Sequence, residues 1–90
     1  MTSPASIGAS IGSIGIEPDP APAGGEVEVS YDGPGDLYWR TIGGSWERVP
    51  IDPKTGKGRI RVPTGRRALL FTNHGKNPVS AEFEIVSPNR

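Results

Sequence analysis

Apolar and polar residues alternate along most of the chain from residue 26 onward. Val27, Val29 and Tyr31 share one side of an extended segment, and acidic residues occupy the other side. Alternation with a period of two is typical of a β-strand with one buried face. The pattern predicts six short strands at residues 26–31, 36–41, 45–49, 58–62, 67–72 and 79–86, and a seventh if residues 14–17 also pair.

Turn-forming residues separate the predicted strands. In residues 52–57, Pro53 presets φ for an early turn position and Gly56 supplies the positive φ that a bulged exit requires. The strand at 67–72 is the most apolar, which predicts a central position in its sheet. No segment has helical periodicity. The chain is therefore predicted to be all-β, an antiparallel β-sandwich of six to seven strands with an extended N-terminal arm.

The first 25 residues differ in character from the body, which spans residues 26–90. Residues 1–16 repeat Ser-Ile-Gly, and residues 17–25 form a hinge rich in proline and glycine. The glycines disfavour a helix, and β-branched apolar residues are unusual in a disordered tail. We therefore expect the arm to add as a strand to a neighbouring subunit. The isoleucines predicted to bind this partner are Ile7, Ile11, Ile14 and Ile16.

Charge is distributed unevenly along the chain, although the net charge is zero. Residues 1–39 contain six acidic residues and no Lys or Arg, whereas all ten basic residues lie in residues 40–90. One interpretation is a dipolar particle that packs head to tail with its neighbours. The preferred interpretation is that acidic early strands pair with basic later strands within one sheet. It predicts that Glu26 and Glu28 lie beside Arg59 and Arg61.

The sequence lacks the residue clusters that catalysis or metal binding requires. It contains no cysteine, and His74 is the only histidine, which excludes a structural zinc site made of these ligands. His74 lies in a Gly/Asn/Pro loop, so we expect a solvated turn residue and not a general base. No nucleophile elbow or phosphate-binding loop is present. We expect no enzyme activity, no catalytic residue, no metal and no cofactor.

Two macromolecular partners are also disfavoured. Nucleic-acid readers usually carry net positive charge and an element that enters a groove, whereas this chain is neutral with an acidic first half. No apolar run approaches the ~20 residues of a membrane span. We expect neither a nucleic acid nor a membrane as a partner.

The aromatic residues of the middle strands allow two interpretations. Trp39 is expected to fill the core, because a small core needs its large side chains. Trp46 would then cover a sheet edge or rim, and Tyr38 would point away from the core. The alternative is that Tyr38 and Trp46 form an exposed surface on which sugar rings stack.

The strand count, Trp39 in its strand and the Val-Pro-Thr-Gly turn at residues 62–65 resemble immunoglobulin-like and fibronectin-type-III-like domains. The resemblance covers residues 14–87. The chain departs from it in lacking the cysteine pair of antibody domains and a tyrosine corner.

A small sandwich with an N-terminal arm resembles the head decoration (cement) proteins of tailed-phage virions. This resemblance implies a non-enzymatic structural protein, located in the virion and in the host cytoplasm during assembly. Its partners would be capsid or other assembly subunits, with the chain itself homo-oligomeric. The alternative function is a carbohydrate-binding or adhesive module of a secreted protein, with Tyr38 and Trp46 as the binding residues.

Overall fold

A computed structural model of the chain describes residues 9–11, 13–76 and 78–87. Within these ranges the chain forms β-strands and no helix, and so no helix there could cross a membrane. The strands are β1 (Ala9–Ile11), β2 (Ile14–Glu17), β3 (Ala21–Pro22), β4 (Glu26–Tyr31), β5 (Tyr38–Thr41), β6 (Glu47–Arg48), β7 (Lys57–Arg61), β8 (Ala68–Thr72) and β9 (Ser80–Val86).

The strands form two sheets. The first has four strands in the order β1-β2-β4-β7, and each neighbouring pair is antiparallel. The second has five strands in the order β3-β9-β8-β5-β6, in which β3 is parallel to β9 and the other pairs are antiparallel. The apolar strand β8 lies in the middle of this sheet, as its sequence predicts. The all-β, sandwich-like architecture is confirmed.

The core lies between the two sheets and consists of residues with alternating spacing along each strand. Phe71 and Phe83, on adjacent strands of the second sheet, meet edge to face with ring centroids 5.8 Å apart. Trp39 is half-buried and packs against this core without filling its centre. The buried apolar residues that period-two alternation predicts are Val27, Val29, Tyr31, Ile60, Val62, Ala81, Phe83 and Ile85.

The turn at residues 52–57 has the predicted chemistry. Gly56 has a φ of 72°, and its N–H donates to the carbonyl of Asp52 at 2.7 Å. The carboxylate of Asp52 accepts from the backbone N–H of Lys54 at 2.8 Å. β7 begins directly after this turn and pairs with β4.

The predicted boundaries of arm, hinge and body differ from the arrangement in the structure. Ile14 and Ile16 are only 0% and 3% exposed, because β2 pairs with β4 and directs both side chains into the chain's own core. Residues 17–25, predicted as a hinge, carry the chain from the first sheet to the second. Within this segment Ala21 is buried, and β3 pairs with β9.

This arrangement corrects the expectation that Ile14 and Ile16 bind a neighbouring subunit. Full burial of an isoleucine contributes about 1.5–3 kcal/mol, and these two side chains obtain that burial inside their own domain. Ile11 ends β1, whose backbone pairs with β2. Ile7 lies outside the described residues. The predicted binding by Ile7 and Ile11 stays a prediction.

The charge pattern is explained by strand order. Glu28 lies directly opposite Arg59, and Glu26 lies opposite Arg61. Ion pairs join Lys57 to Glu28 at 3.9 Å and Arg59 to Glu26 at 4.0 Å. The prediction that acidic early strands pair with basic later strands is confirmed for β4 and β7.

Candidate functional site: the aromatic face of the five-stranded sheet

The outer face of the five-stranded sheet carries the largest exposed aromatic side chain of the described residues. Trp46 is 40% exposed, and only Ile42, at 48%, is a more exposed large apolar residue in that part of the chain. Both residues flank the Gly43–Gly44 turn after β5. Gly43 has a φ of 90°, a conformation that glycine adopts readily. The turn returns the chain beside β5 and brings Trp46 next to Arg40.

Three rings stand together on this face. The His74 imidazole lies between the other two, with its centroid 5.3 Å from the Tyr38 ring and 4.9 Å from the Trp46 ring. The Arg40 guanidinium lies 5.1 Å from the centroid of the Trp46 ring, a cation–π distance. We call the surface formed by Tyr38, Arg40, Trp46, Leu70, His74 and Glu82 the aromatic face.

Strand register sets the order of side chains across the aromatic face. Arg40 of β5 is opposite Leu70 of β8, and Leu70 is opposite Glu82 of β9. Residues directly opposite one another in antiparallel strands point to the same side of a sheet. Arg40 and Leu70 are half-buried, whereas Glu82 is exposed. The sheet therefore presents a row that runs from a base through an apolar residue to an acid.

A buried asparagine holds the loop that carries His74. The side-chain carboxamide of Asn73 donates to the Tyr31 hydroxyl at 3.0 Å. Its oxygen accepts from the N–H of Gly75 at 3.2 Å and of Val79 at 3.1 Å. These bonds tie both ends of the loop to the core, and His74 has a φ of 53°, uncommon for a residue other than glycine. The imidazole is thereby directed over β5.

A shallow depression of about 430 Å³ lies beside the ring cluster. Trp46 and His74 form one side of the depression, and Ser80 and Glu82 lie on the other. Its floor includes Leu70 and Thr72 of β8. An aromatic wall opposite hydroxyl and carboxylate groups is suited to a molecule with one apolar surface and several hydrogen-bonding groups.

The sequence identified only part of this site. Tyr38 and Trp46 were candidate binding residues, and the structure brings them together through His74. His74 is exposed in its loop, as expected, but its ring contacts were missed because they join residues far apart in the chain. Arg40 and Glu82 were recoverable, since alternation with Trp39 and Phe83 directs both to the outer face.

Metal binding receives no support from the described part of the chain, where no group of three or more His, Cys, Asp or Glu residues lies close enough to hold an ion.

Comparison of the chain with protein-family models, curated proteins and solved structures found no match.

Proposed function

We propose that the chain is a non-enzymatic binding domain that contacts neighbouring protein subunits in a larger assembly through the aromatic face. The observation that carries the proposal is the row of Arg40, Leu70 and Glu82 beside the exposed Trp46. Aromatic residues and arginine are enriched in protein–protein interfaces. His74, the residue best suited to acid–base chemistry, has its ring in contact with two aromatic rings.

The strand order supports an immunoglobulin-like topology as part of this proposal. The N-terminal strands are divided between the sheets, with β2 next to β4 and β3 parallel to the last strand, β9. The chain also crosses between sheets from β4 to β5 and from β7 to β8. Such alternation between two packed antiparallel sheets is typical of immunoglobulin-like sandwiches.

A place in a virion, as a decoration or other minor structural protein, belongs to the same proposal. It is motivated by the Ser-Ile-Gly sequence of residues 1–16 and by the position of β1. This strand ends the order of the four-stranded sheet and has no neighbour on its other side among the described residues. An edge strand can accept a strand from another chain. The assembly would then use the β1 edge as well as the aromatic face.

Deletion of residues 2–11 tests the role of the arm. This deletion leaves Ile14 and Ile16 in place, so loss of incorporation into the assembly would not result from a damaged core. We expect the truncated chain to fold and to lose most of its retention on the particle. Undiminished retention would contradict a role for the arm and leave the aromatic face as the contact.

Carbohydrate binding is a second candidate function, and the depression beside Trp46 and His74 favours it. A sugar ring stacked on Trp46 would bring its hydroxyl groups towards Ser80 and Glu82 on the opposite side. Affinity electrophoresis in gels with soluble polysaccharides tests this function. We expect retardation of the wild type and of Ile42→Ala, and none of Trp46→Ala. No retardation with any polysaccharide would contradict it.

Amide chemical-shift mapping by NMR tests the main proposal. Spectra are recorded as the protein is concentrated and, separately, as purified assembly subunits are added. We expect the largest changes at the Trp46 indole and along β8 and β9. Changes confined to the outer face of β4 and β7 would contradict the proposal.

A further inference from the structure

The aromatic face carries two charged groups that no partner within the described residues neutralises. Arg40 and Glu82 take part in none of the ion pairs found there. The Nε of Arg40 is buried and lacks a hydrogen-bond partner. An unsatisfied buried donor of this kind is costly, so the described part of one copy does not fully satisfy the Arg40 guanidinium.

The two charges are held apart by the strand between them. Arg40 and Glu82 lie at the same level of the sheet, and Leu70 of β8 separates them. Two strand spacings correspond to about 10 Å, and no ion pair joins the two side chains across Leu70. Glu82 is exposed and Arg40 is half-buried, and they lie on opposite sides of the half-buried Leu70.

Such a row is complementary to itself. Consider a two-fold axis that runs parallel to β8 and passes above Leu70. A half-turn about this axis places a second copy with its Arg40 over Glu82 of the first copy and its Leu70 over Leu70. We propose that the aromatic face binds the same face of a second copy of this chain about this two-fold axis. Arg40 of each copy then meets Glu82 of the other, and the two Leu70 side chains meet at the centre. The inference rests on the proposed function, because it names the partner of the same face.

The direction of the two-fold axis decides which charges of the two copies meet. Arg48 is already paired with Asp36 at 3.7 Å. Glu82 and Glu84 line one depression together with Arg66 and Arg67, and among the described residues no ion pair joins either acid to these bases. A two-fold axis that lies in the same plane but runs perpendicular to the strands would instead place each strand over the same strand of the second copy. Arg40 of one copy would then face the strand that carries Arg40 in the other. Only the parallel axis pairs the two open charges.

The area of the face predicts a weak dimer. From the usual strand spacing and rise, the outer surface of β5, β8 and β9 with Trp46 covers on the order of 300–400 Å² per copy. Stable complexes bury about 1,200–2,000 Å² in total. We therefore expect association in the micromolar to millimolar range in solution, strengthened where an assembly holds many copies together.

Charge reversal tests the pairing through a mixing experiment. Arg40→Glu alone opposes two acids across the axis, and Glu82→Arg alone opposes two bases, so each variant should associate at least about tenfold more weakly than the wild type. In an equimolar mixture every contact is again between opposite charges. We expect the mixture, and the double variant Arg40→Glu/Glu82→Arg, to recover wild-type association. The measurement is sedimentation equilibrium with one component labelled, up to about 1 mM protein.

Arg61→Glu is the matched control, because it makes the same charge change on the outer face of the other sheet. It should leave association unchanged. A wild type that stays monomeric at the highest concentration, or a mixture that associates no better than either single variant, would overturn the proposal. If the NMR mapping still located added subunits on the aromatic face, the proposed function would stand without the second copy. If the NMR mapping showed no changes on the aromatic face, the proposed function and the self-association would both be contradicted.

Discussion

The outer faces of the two sheets contain the same kinds of charged residue but arrange them differently. On the four-stranded sheet, acidic β4 is the direct neighbour of basic β7, and Glu28 and Glu26 form ion pairs with Lys57 and Arg59. On the five-stranded sheet, an apolar strand separates Arg40 from Glu82. The comparison teaches that strand order decides which charges neutralise one another. Acidic and basic residues on adjacent strands form ion pairs with one another. Where an apolar strand lies between them, both charges stay available to another molecule.

The largest effect should follow from a change to the inner face of the four-stranded sheet. Ile14→Ala removes a fully buried side chain that β2 contributes to the core. We expect the free energy of unfolding in urea to fall by roughly 2–5 kcal/mol. Ile42→Ala, at an exposed position, should change it by less than about 0.5 kcal/mol. Equal, small effects of the two changes would mean that residues 14–17 are not part of the folded domain.

A change beneath the aromatic face should have the next largest effect. Asn73→Ala removes three hydrogen bonds of a buried carboxamide and leaves the groups that they satisfied without partners. We expect a loss of roughly 1–3 kcal/mol in unfolding free energy, together with a chemical-shift change at the Trp46 indole as His74 moves.

Asn73→Asp is the informative control for that experiment. It keeps the oxygen that accepts from Gly75 and Val79 and replaces the donor to Tyr31. An indole shift close to that of the wild type is therefore expected. An unchanged indole in Asn73→Ala would refute the role of Asn73 in positioning the ring cluster.

These two changes also separate what sequence could predict from what it could not. Val27 and Phe83 follow plain period-two alternation, so their burial was predictable. Ile14 and Ile16 follow the same alternation, but the glycines of the Ser-Ile-Gly repeat made the segment resemble a flexible arm. The contact of His74 with Trp46 depends on Asn73 and on a left-handed backbone conformation at His74. Neither leaves a local pattern in the sequence.

Charge reversal should affect stability on one outer face and not on the other. Glu28→Lys places a base next to Lys57 and Arg59, and we expect a loss of up to about 1 kcal/mol that shrinks in high salt. Glu82→Lys meets no ion-pair partner within the described residues of its own copy, so a change below about 0.5 kcal/mol is expected in dilute solution. Urea unfolding at low and high salt measures both. A larger, salt-sensitive loss for Glu82→Lys would contradict the difference between the faces.

A modest stability effect is expected at Trp46, where the larger effect should be on binding. Because its side chain is 40% exposed, Trp46→Ala should lower the unfolding free energy by only about 1 kcal/mol, chiefly through lost contacts with His74 and Arg40. Binding to assembly subunits should nevertheless fall strongly, since interface energy concentrates in residues of this type. A thermal melt and a binding isotherm on the same preparation compare the two effects. Equal losses of stability and binding would indicate a structural role.

The central claim, that the aromatic face is covered by another molecule, is tested most directly by the accessibility of Trp46. In the variant Trp39→Phe, Trp46 is the only tryptophan, and acrylamide quenching of its fluorescence reports exposure of this one ring. The account predicts strong quenching in dilute solution and much weaker quenching in the concentrated protein or in the assembled particle. Equally strong quenching in all three states would contradict it.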